Sequence, residues 1–115
     1  MDDCIFCKIV HGEIPSEKVW EDEMFLAVLD VNPVGEGHTL VIPKKHFRNL
    51  LDMDSSLNYI SALQKTAQVL MKKYNSNGFN IILNNGKSAG QIVGHVHFHI
   101  LPRRKGDNMR GFSIG

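Results

Sequence analysis

His95-Val96-His97-Phe98-His99-Ile100-Leu101 is the stretch on which the reading of this chain turns. It holds three of the six histidines, each separated from the next by one bulky apolar residue. Alternate residues of an extended strand face opposite sides. His95, His97 and His99 therefore share one face, and Val96, Phe98 and Ile100 share the other. The pattern predicts a row of imidazoles about 7 Å apart, backed by core. A single buried histidine bonded to a carbonyl is an ordinary core device. Three in strict alternation would each need hydrogen-bond partners, and titratable clusters concentrate at functional sites. A neutral imidazole can attack an electrophile or ligate a metal, and a protonated one donates to phosphate oxygens or to a leaving group. His97 has a ring on either side. A hydrogen bond from its Nδ1 would fix the tautomer and present Nε2 for attack.

The loop that delivers the chain into this strand, residues 85–94, carries Gly86, Gly90 and Gly94 together with Ser88 and Gln91. Glycines let backbone N–H groups come close to an anion, which makes a phosphate the natural ligand for such a loop beside imidazoles. Further upstream, residues 79–84 read as a strand. Before it, Ile60, Leu63, Ala67, Leu70, Met71 and Tyr74 recur at the 3.6-residue spacing of an amphipathic helix. Asp54-Ser55-Ser56 offers its N-cap, Lys72 and Lys73 suit its last turn, and Asn77-Gly78 ends it. Residues 18–21, 24–30 and 38–43 read as strands, the second with both faces apolar and hence buried. Residues 4–10 predict a short helix stopped by Gly12 and Pro15. Strands at both ends around one long central helix give an α+β class: an antiparallel sheet with one long helix packed on one face. A single domain over residues 1–115 is expected, with a cysteine-bearing segment at 1–12 and a loosely ordered polar tail at 106–115.

The bulk properties agree. The chain has 115 residues, 43% hydrophobic and 22% charged, and a formal charge of +1. A protein that wraps a nucleic-acid polymer wants clustered Lys and Arg, so no such partner is expected, while a small anion needs only local positive charge. No apolar run approaches a membrane span and the first residues do not read as a signal peptide. A soluble, cytoplasmic protein without a membrane partner is the expectation. Lys44, Lys45 and Arg48, and Arg103 with Arg104, read as solvated charge clusters, and His11 as surface.

The histidine stretch resembles the signature of the histidine triad (HIT) family, His-φ-His-φ-His-φ-φ with φ apolar. The likeness extends to Leu29-Asp30-Val31-Asn32-Pro33, to residues 37–46 (Gly-His-Thr-Leu-Val-Ile-Pro-Lys-Lys-His), and to residues 84–91. It implies a HIT-like fold and a nucleotide hydrolase or transferase acting at the α-phosphate. By that resemblance His97 attacks phosphorus and forms a nucleotidyl-histidine that water releases as a nucleoside monophosphate such as AMP. His99 binds α-phosphate oxygens, His95 orients His97 through its backbone carbonyl, and His38 stands behind the triad. Asp30 would hold the ribose hydroxyls, Asn84 and Gln91 would lie beside the phosphate, and Val31 and Ile42 would line the base pocket. From the residues alone, Asp30 also fits a turn-initiating Asp before Asn-Pro, and His38 fits a core histidine.

A histidine at position 99, where the transferase branch has glutamine, favours hydrolysis. Ile92 stands where the Hint phosphoramidase branch has a serine, and residues 101–107 look more like the Fhit branch and general microbial members. Substrates would be nucleoside phosphoramidates, adenylates or dinucleoside polyphosphates. The family also implies a homodimer.

Cys4 and Cys7 leave several readings open. A redox pair normally follows a strand within a βαβ unit, whereas only three residues precede Cys4. Two buried thiols can pack as small hydrophobes. Two thiolates with two imidazoles make a tetrahedral zinc site, and the resemblance implies that His46 and His95 complete it, with structural zinc and no organic cofactor. Two other functions stay in play: a purine-nucleotide-binding regulatory or scaffold protein with little turnover, and an enzyme whose triad holds a catalytic metal.

Overall fold

Every second residue of the central strands points into a different core, and that division places the site. The computed structural model describes residues 3–109 and 114–115. In chain order it has a short helix α1 (Ile5–Val10), strands β1 (Lys18–Glu21), β2 (Phe25–Leu29) and β3 (Thr39–Pro43), the long helix α2 (Tyr59–Lys73), and strands β4 (Gly78–Leu83) and β5 (Phe98–Arg103). The strands form one antiparallel sheet in the order β1-β2-β3-β5-β4. The α+β expectation holds.

On one face, Phe25, Ala27, Val41, Val96, Phe98 and Ile100 pack with Ala62, Leu63 and Leu70 of α2. On the other, Leu26, Val28, Leu40 and Ile42 pack with Phe6 of α1. The side chains of the second face are in phase with His38, which precedes Leu40 and Ile42 by two and four positions. Leu40 pairs with His99 across the β3–β5 ladder. The alternation predicted for residues 95–101 is thus met: apolar residues lie under α2 and imidazoles lie on the α1 side.

Several boundaries differ from the sequence expectation. Regular pairing in β5 begins at Phe98 rather than His95, because Val96 N–H is taken by the carbonyl of Phe47 (2.7 Å) instead of a strand neighbour. Helix α2 starts at Tyr59, not after Asp54: Asn58 Oδ1 accepts the Ser61 N–H (3.0 Å) as the N-cap. Asp54 spends its Oδ1 on the Ser56 N–H and hydroxyl within a turn. The helix stops at Lys73, short of Asn77-Gly78, since Asn75 adopts the left-handed backbone (φ 51°). Ile60, expected on the buried face, falls on the outer side, 56% exposed.

Residues 107 and 109 of the tail are bonded to the domain. Arg103 clamps both oxygens of Asp107 (2.7 and 3.1 Å) and the carbonyl of Met109 (2.7 Å). Met109 in turn packs over Gly35, where an added Cβ would meet its sulfur at 2.5 Å. The rest of the tail expectation, residues 110–113, lies outside the described residues. Among the described residues no helix is long and apolar enough to cross a membrane.

Candidate functional site

The site is built where β3 and β5 run side by side beneath α1. His38, His95, His97 and His99 are all buried to within a few per cent, so each ring must be satisfied by protein or by ligand. The backbone N–H of Val34 can only donate, and it reaches His38 Nδ1 at 3.1 Å. In the neutral ring the His38 proton is therefore on Nε2, which lies 2.9 Å from His99 Nδ1 and 3.5 Å from Asp30 Oδ2. That bond makes His99 Nδ1 an acceptor and puts its proton on Nε2. His99 Nε2 is buried and meets no partner in hydrogen-bonding geometry among the described residues. Burial, then the neighbouring rings of His97 and His38, hold His99 at about 4, with the backbone of Gly115 and Asp30 pulling the other way. His99 is thus a neutral donor facing the site.

His97 is fixed differently. Its Nδ1–H donates to the backbone carbonyl of His95 (2.7 Å), so Nε2 keeps its lone pair whenever the ring is neutral. Nε2 lies 2.9 Å from the backbone oxygen of Gly115. The same oxygen is 3.5 Å from the Ile92 N–H, and the carbonyl of Ile114 accepts from the Asn84 amide. The Gly115 oxygen thus rests on the Ile92 N–H and the Ile114 oxygen on the Asn84 Nδ2, with the His97 Nε2 lone pair beside them. These groups outline a pocket for an anion's oxygens, and Ile114 and Gly115 must give way before a ligand takes their place.

This spot opens into a cavity of about 380 Å³ that runs beneath α1. Phe6, Ile9, Ile14, Val28 and Leu40 supply an apolar wall, and Asp30 and Val31 stand at the rim with His38, His97 and His99. Asp30 forms the turn foreseen for it and also faces the histidines. Its Oδ1 accepts the Asn32 N–H (2.9 Å) as a turn former, while Oδ2 faces His38 at 3.5 Å. Val31 is 82% exposed and forms the lip.

Two residues sit elsewhere than expected. Ile42 is fully buried in the layer behind the cavity with Phe6 and Leu26 and does not line it, because its place two residues beyond Leu40 carries it under α1. Gln91 staples the glycine loop. Its Oε1 accepts the Gly86 N–H (2.7 Å), and its Nε2 donates to the carbonyls of Arg48 (2.6 Å) and Val93 (2.9 Å). All of its strong valences are spent on backbone.

The second cluster joins the two ends of the domain. Cys4 Sγ is 3.3 Å from His95 Nδ1, and Cys7 Sγ is 3.3 Å from His46 Nδ1 and 3.6 Å from His95 Nδ1. All four candidate ligand atoms lie within 4.8 Å of one another. His95 settles whether the set suits a metal. Its Nε2 lies 2.9 Å from the carbonyl of Pro43, which can only accept, so the proton is on Nε2 and the Nδ1 lone pair faces the sulfurs. Burial lowers His95 to about 4 and keeps it neutral. Burial and the Cys4 sulfur push the Cys7 thiol up to about 11, a proton that a cation would displace. Two sulfurs and two imidazoles fit tetrahedral zinc. Asp30, His38 and His99 also lie together, but His38 Nε2 carries a proton there, so they form a hydrogen-bonded relay rather than a ligand set.

The sequence reading missed the cavity wall contributed by α1 and residues 14–15, and the N–H groups of Val34 and Ile92. The apolar run Ile5, Phe6, Ile9 around the cysteines was a legible signal for the wall. Backbone donors leave no mark in residue identity. Of the charged clusters, Lys44 pairs with Glu21, Arg48 with Asp52, Arg103 with Asp107 and Arg104 with Glu36, and the Lys44 and Arg103 side chains are partly buried.

Comparison with known proteins follows this geometry. The family model described as the HIT domain matches residues 11–106. An uncharacterized HIT-like protein of Methanocaldococcus jannaschii is 56% identical over 90% of this chain and 81% of its own length. An adenosine 5′-monophosphoramidase of Saccharomyces cerevisiae is 42% identical over 97% of this chain and 68% of its own. An adenylylsulfatase of Arabidopsis thaliana is also 42% identical, over 92% of this chain and 55% of its own. Among solved structures, a protein of Streptococcus mutans superposes with a TM-score of 0.89 at 47% identity, covering 100% of this chain and 74% of that one. A zinc-bound histidine triad family protein of Mycobacterium smegmatis gives 0.84 at 38%, covering 96% and 81%.

Proposed function

The chain belongs to the HIT family, and from that premise we propose that it is a hydrolase that cleaves nucleotides at the α-phosphate, with His97 as nucleophile. Relatives named as a phosphoramidase and an adenylylsulfatase support nucleotide hydrolysis. The observation that carries the reading is the set of groups now resting on the oxygens of Ile114 and Gly115. His97 and Ile92 line a cavity with an apolar wall that also carries the Asp30 carboxylate.

A purine ring stacks into the slot against Phe6 and Leu40, Asp30 takes the ribose hydroxyls, and the α-phosphate replaces the Gly115 oxygen. His97 Nε2 attacks phosphorus, the new N–P bond forms as the bond to the leaving group breaks, and the leaving group departs with the electron pair and takes a proton from solvent. His99 Nε2–H and the Asn84 amide donate to the oxygens on which charge develops, where preorganised donors are most effective. Water then attacks the nucleotidyl-His97, loses its proton, and the pair returns to Nε2 as AMP leaves. Phosphoramidates, adenylates and dinucleoside polyphosphates share this cleavage.

Cys4, Cys7, His46 and His95 would hold a structural zinc ion, which would supply a rigid cross-link between α1, the end of β3 and the histidine segment. A second copy of this chain would pair along β4, whose outer edge has no neighbour among the described residues and carries Phe79 and Ile81, 43% and 45% exposed. The free thiols suit a reducing, cytoplasmic setting.

The test is AMP release from adenosine 5′-phosphoramidate and diadenosine polyphosphates by wild type and His97→Ala in parallel. Turnover is expected in the first and none in the second. Equal rates remove His97 from its role, and bound AMP with no turnover in either protein favours a binding or scaffold function.

A further inference from the structure

Phe6 stands between the thiolate cluster and the triad. It directly precedes Cys7 in α1, whose N-cap is Cys4. Its ring meets His97 at 5.0 Å between centroids, with an interplanar angle of 72°, and His95 at 5.8 Å and 79°. The side chain is almost fully buried. We propose that Phe6 is a positioning residue for the His97 nucleophile, and that the Cys4–Cys7 clasp acts on catalysis through it. The inference rests on the nucleophilic reading of His97 given above.

The need for such a residue follows from the ring's own freedom. The bond from Nδ1 to the His95 carbonyl anchors one corner of the imidazole. Rotation about Cβ–Cγ is a broad, roughly two-fold torsion that a single hydrogen bond limits only in part. Packing on the ring must do the rest. His99 supplies one wall at 4.9 Å and Phe6 another at 5.0 Å. Without Phe6 the ring can tilt away from the line of attack, and a displacement of about 1 Å in a reacting group can cost a hundredfold in rate.

The position of Phe6 is not set by its own helix. A helix of six residues is too short to be stable alone. What fixes α1 against the sheet are the apolar contacts of Phe6, Ile9 and Val10 and the two sulfurs, each 3.3 Å from an imidazole of another segment. A cation shared by the four ligands would lock that docking. It would reach the nucleophile by two separate routes: through His95, whose carbonyl holds Nδ1, and through α1 to Phe6. Replacing Phe6 interrupts the second route and leaves the first intact.

The experiment uses the full chain, zinc-loaded and EDTA-treated, as wild type, Phe6→Leu and Phe6→Tyr. The readouts are the ¹H–¹⁵N signal of the His97 Nδ1–H in the resting protein and steady-state kinetics on adenosine 5′-phosphoramidate. Phe6→Leu is expected to broaden the His97 signal and lower kcat about tenfold, with KM changed far less. Phe6→Tyr, which keeps the ring, should restore both. EDTA should broaden the signal in the wild type and do so less in Phe6→Leu, where only the route through His95 remains. Phe6→Met takes the place of the leucine variant if that one does not fold. A sharp His97 signal and an unchanged kcat with raised KM in Phe6→Leu would mean that Phe6 is only cavity wall and overturn the inference. An EDTA effect of equal size in both proteins, or none in the wild type, overturns the link to the clasp. If His97→Ala keeps full activity, the nucleophilic reading fails instead, and the His97 signal still reports whether Phe6 holds the ring.

Discussion

His38 Nε2 lies 2.9 Å from His99 Nδ1, and the Val34 N–H reaches the far side of His38 at 3.1 Å. A backbone group thereby sets the tautomers of two side chains in succession and leaves His99 with a proton aimed into the site. His38→Ala removes the donor and frees His99 to adopt the other tautomer. A fall in kcat of about tenfold to a hundredfold is expected, since misdirected donors cost that much in preorganised sites. His38→Gln, whose amide N–H can still reach His99, should recover part of the loss. Equal rates in the alanine variant and the wild type would remove His38 from the relay.

Burial keeps this pair neutral, and that sets the pH dependence of stability. His99 is lowered from 6.5 to about 4, chiefly by desolvation and then by His97 and His38. His38 is lowered chiefly by desolvation, with Asp30 opposing. The unfolded chain takes up these protons near pH 6.5 and the folded chain only at lower pH. Their stabilising contribution is therefore complete above pH 6.5 and is lost as the pH falls, for His99 toward about 4. The melting temperature should drop by about 5 °C or more between pH 7 and pH 5. His99→Asn should show a smaller drop, which thermal scans at the two pH values would reveal.

The fold was legible because strand alternation and helix spacing report burial, and burial is what these residues share. The triad was legible for the same reason: period two put three imidazoles on one face whatever the details of pairing. Ile42 shows the limit. Alternation placed it correctly on the face of His38 and Leu40, but a face is not a cavity, and only the docking of α1 decides which of its residues are covered by core. Gln91 shows another limit, since the backbone carbonyls of Arg48 and Val93 that capture its amide come from positions whose identity says nothing of their carbonyls.

Ile42 is therefore a test of core against pocket. It is 0% exposed and packs with Phe6, Leu26, Val28 and Leu40. Ile42→Ala should destabilise the fold by about 2 to 5 kcal/mol, measured by urea unfolding. The milder Ile42→Val should cost about 1 kcal/mol and leave KM for nucleotide unchanged. A raised KM in Ile42→Val with unaltered stability would return Ile42 to the base pocket.

Gln91 makes three hydrogen bonds to backbone, joining Gly86, Val93 and the segment at Arg48. Gln91→Ala leaves the Gly86 N–H without its acceptor and loosens the loop that aims the Ile92 N–H. A loss of about 1 to 3 kcal/mol in stability is expected, with kcat reduced less than in His38→Ala. Gln91→Glu keeps the acceptor for Gly86 and loses both donations. It should fall between the two proteins in thermal unfolding. An alanine variant as stable as wild type but defective in AMP binding would point instead to direct phosphate contact.

The metal reading makes the last prediction, and His95 gives it its shape. Because Nε2 bonds the Pro43 carbonyl, Nδ1 is the ligand atom, and it lies 3.3 Å from Cys4 Sγ and 3.6 Å from Cys7 Sγ. Sulfurs at those distances would close on a shared ion with only small shifts. Protein purified without chelator should hold about one zinc per chain by elemental analysis, as a single set of four ligands requires. The Cys4→Ser, Cys7→Ser double variant should hold none, and His46→Asn should hold it more weakly. Removal of the ion from the wild type should lower the melting temperature by about 10 °C, because binding free energy at such a site is folding free energy. The double variant should melt at the lower temperature whether zinc is added or not. Unchanged zinc content in the double variant would sink the proposed site and leave Cys4 and Cys7 as thiols that pack α1 onto the sheet.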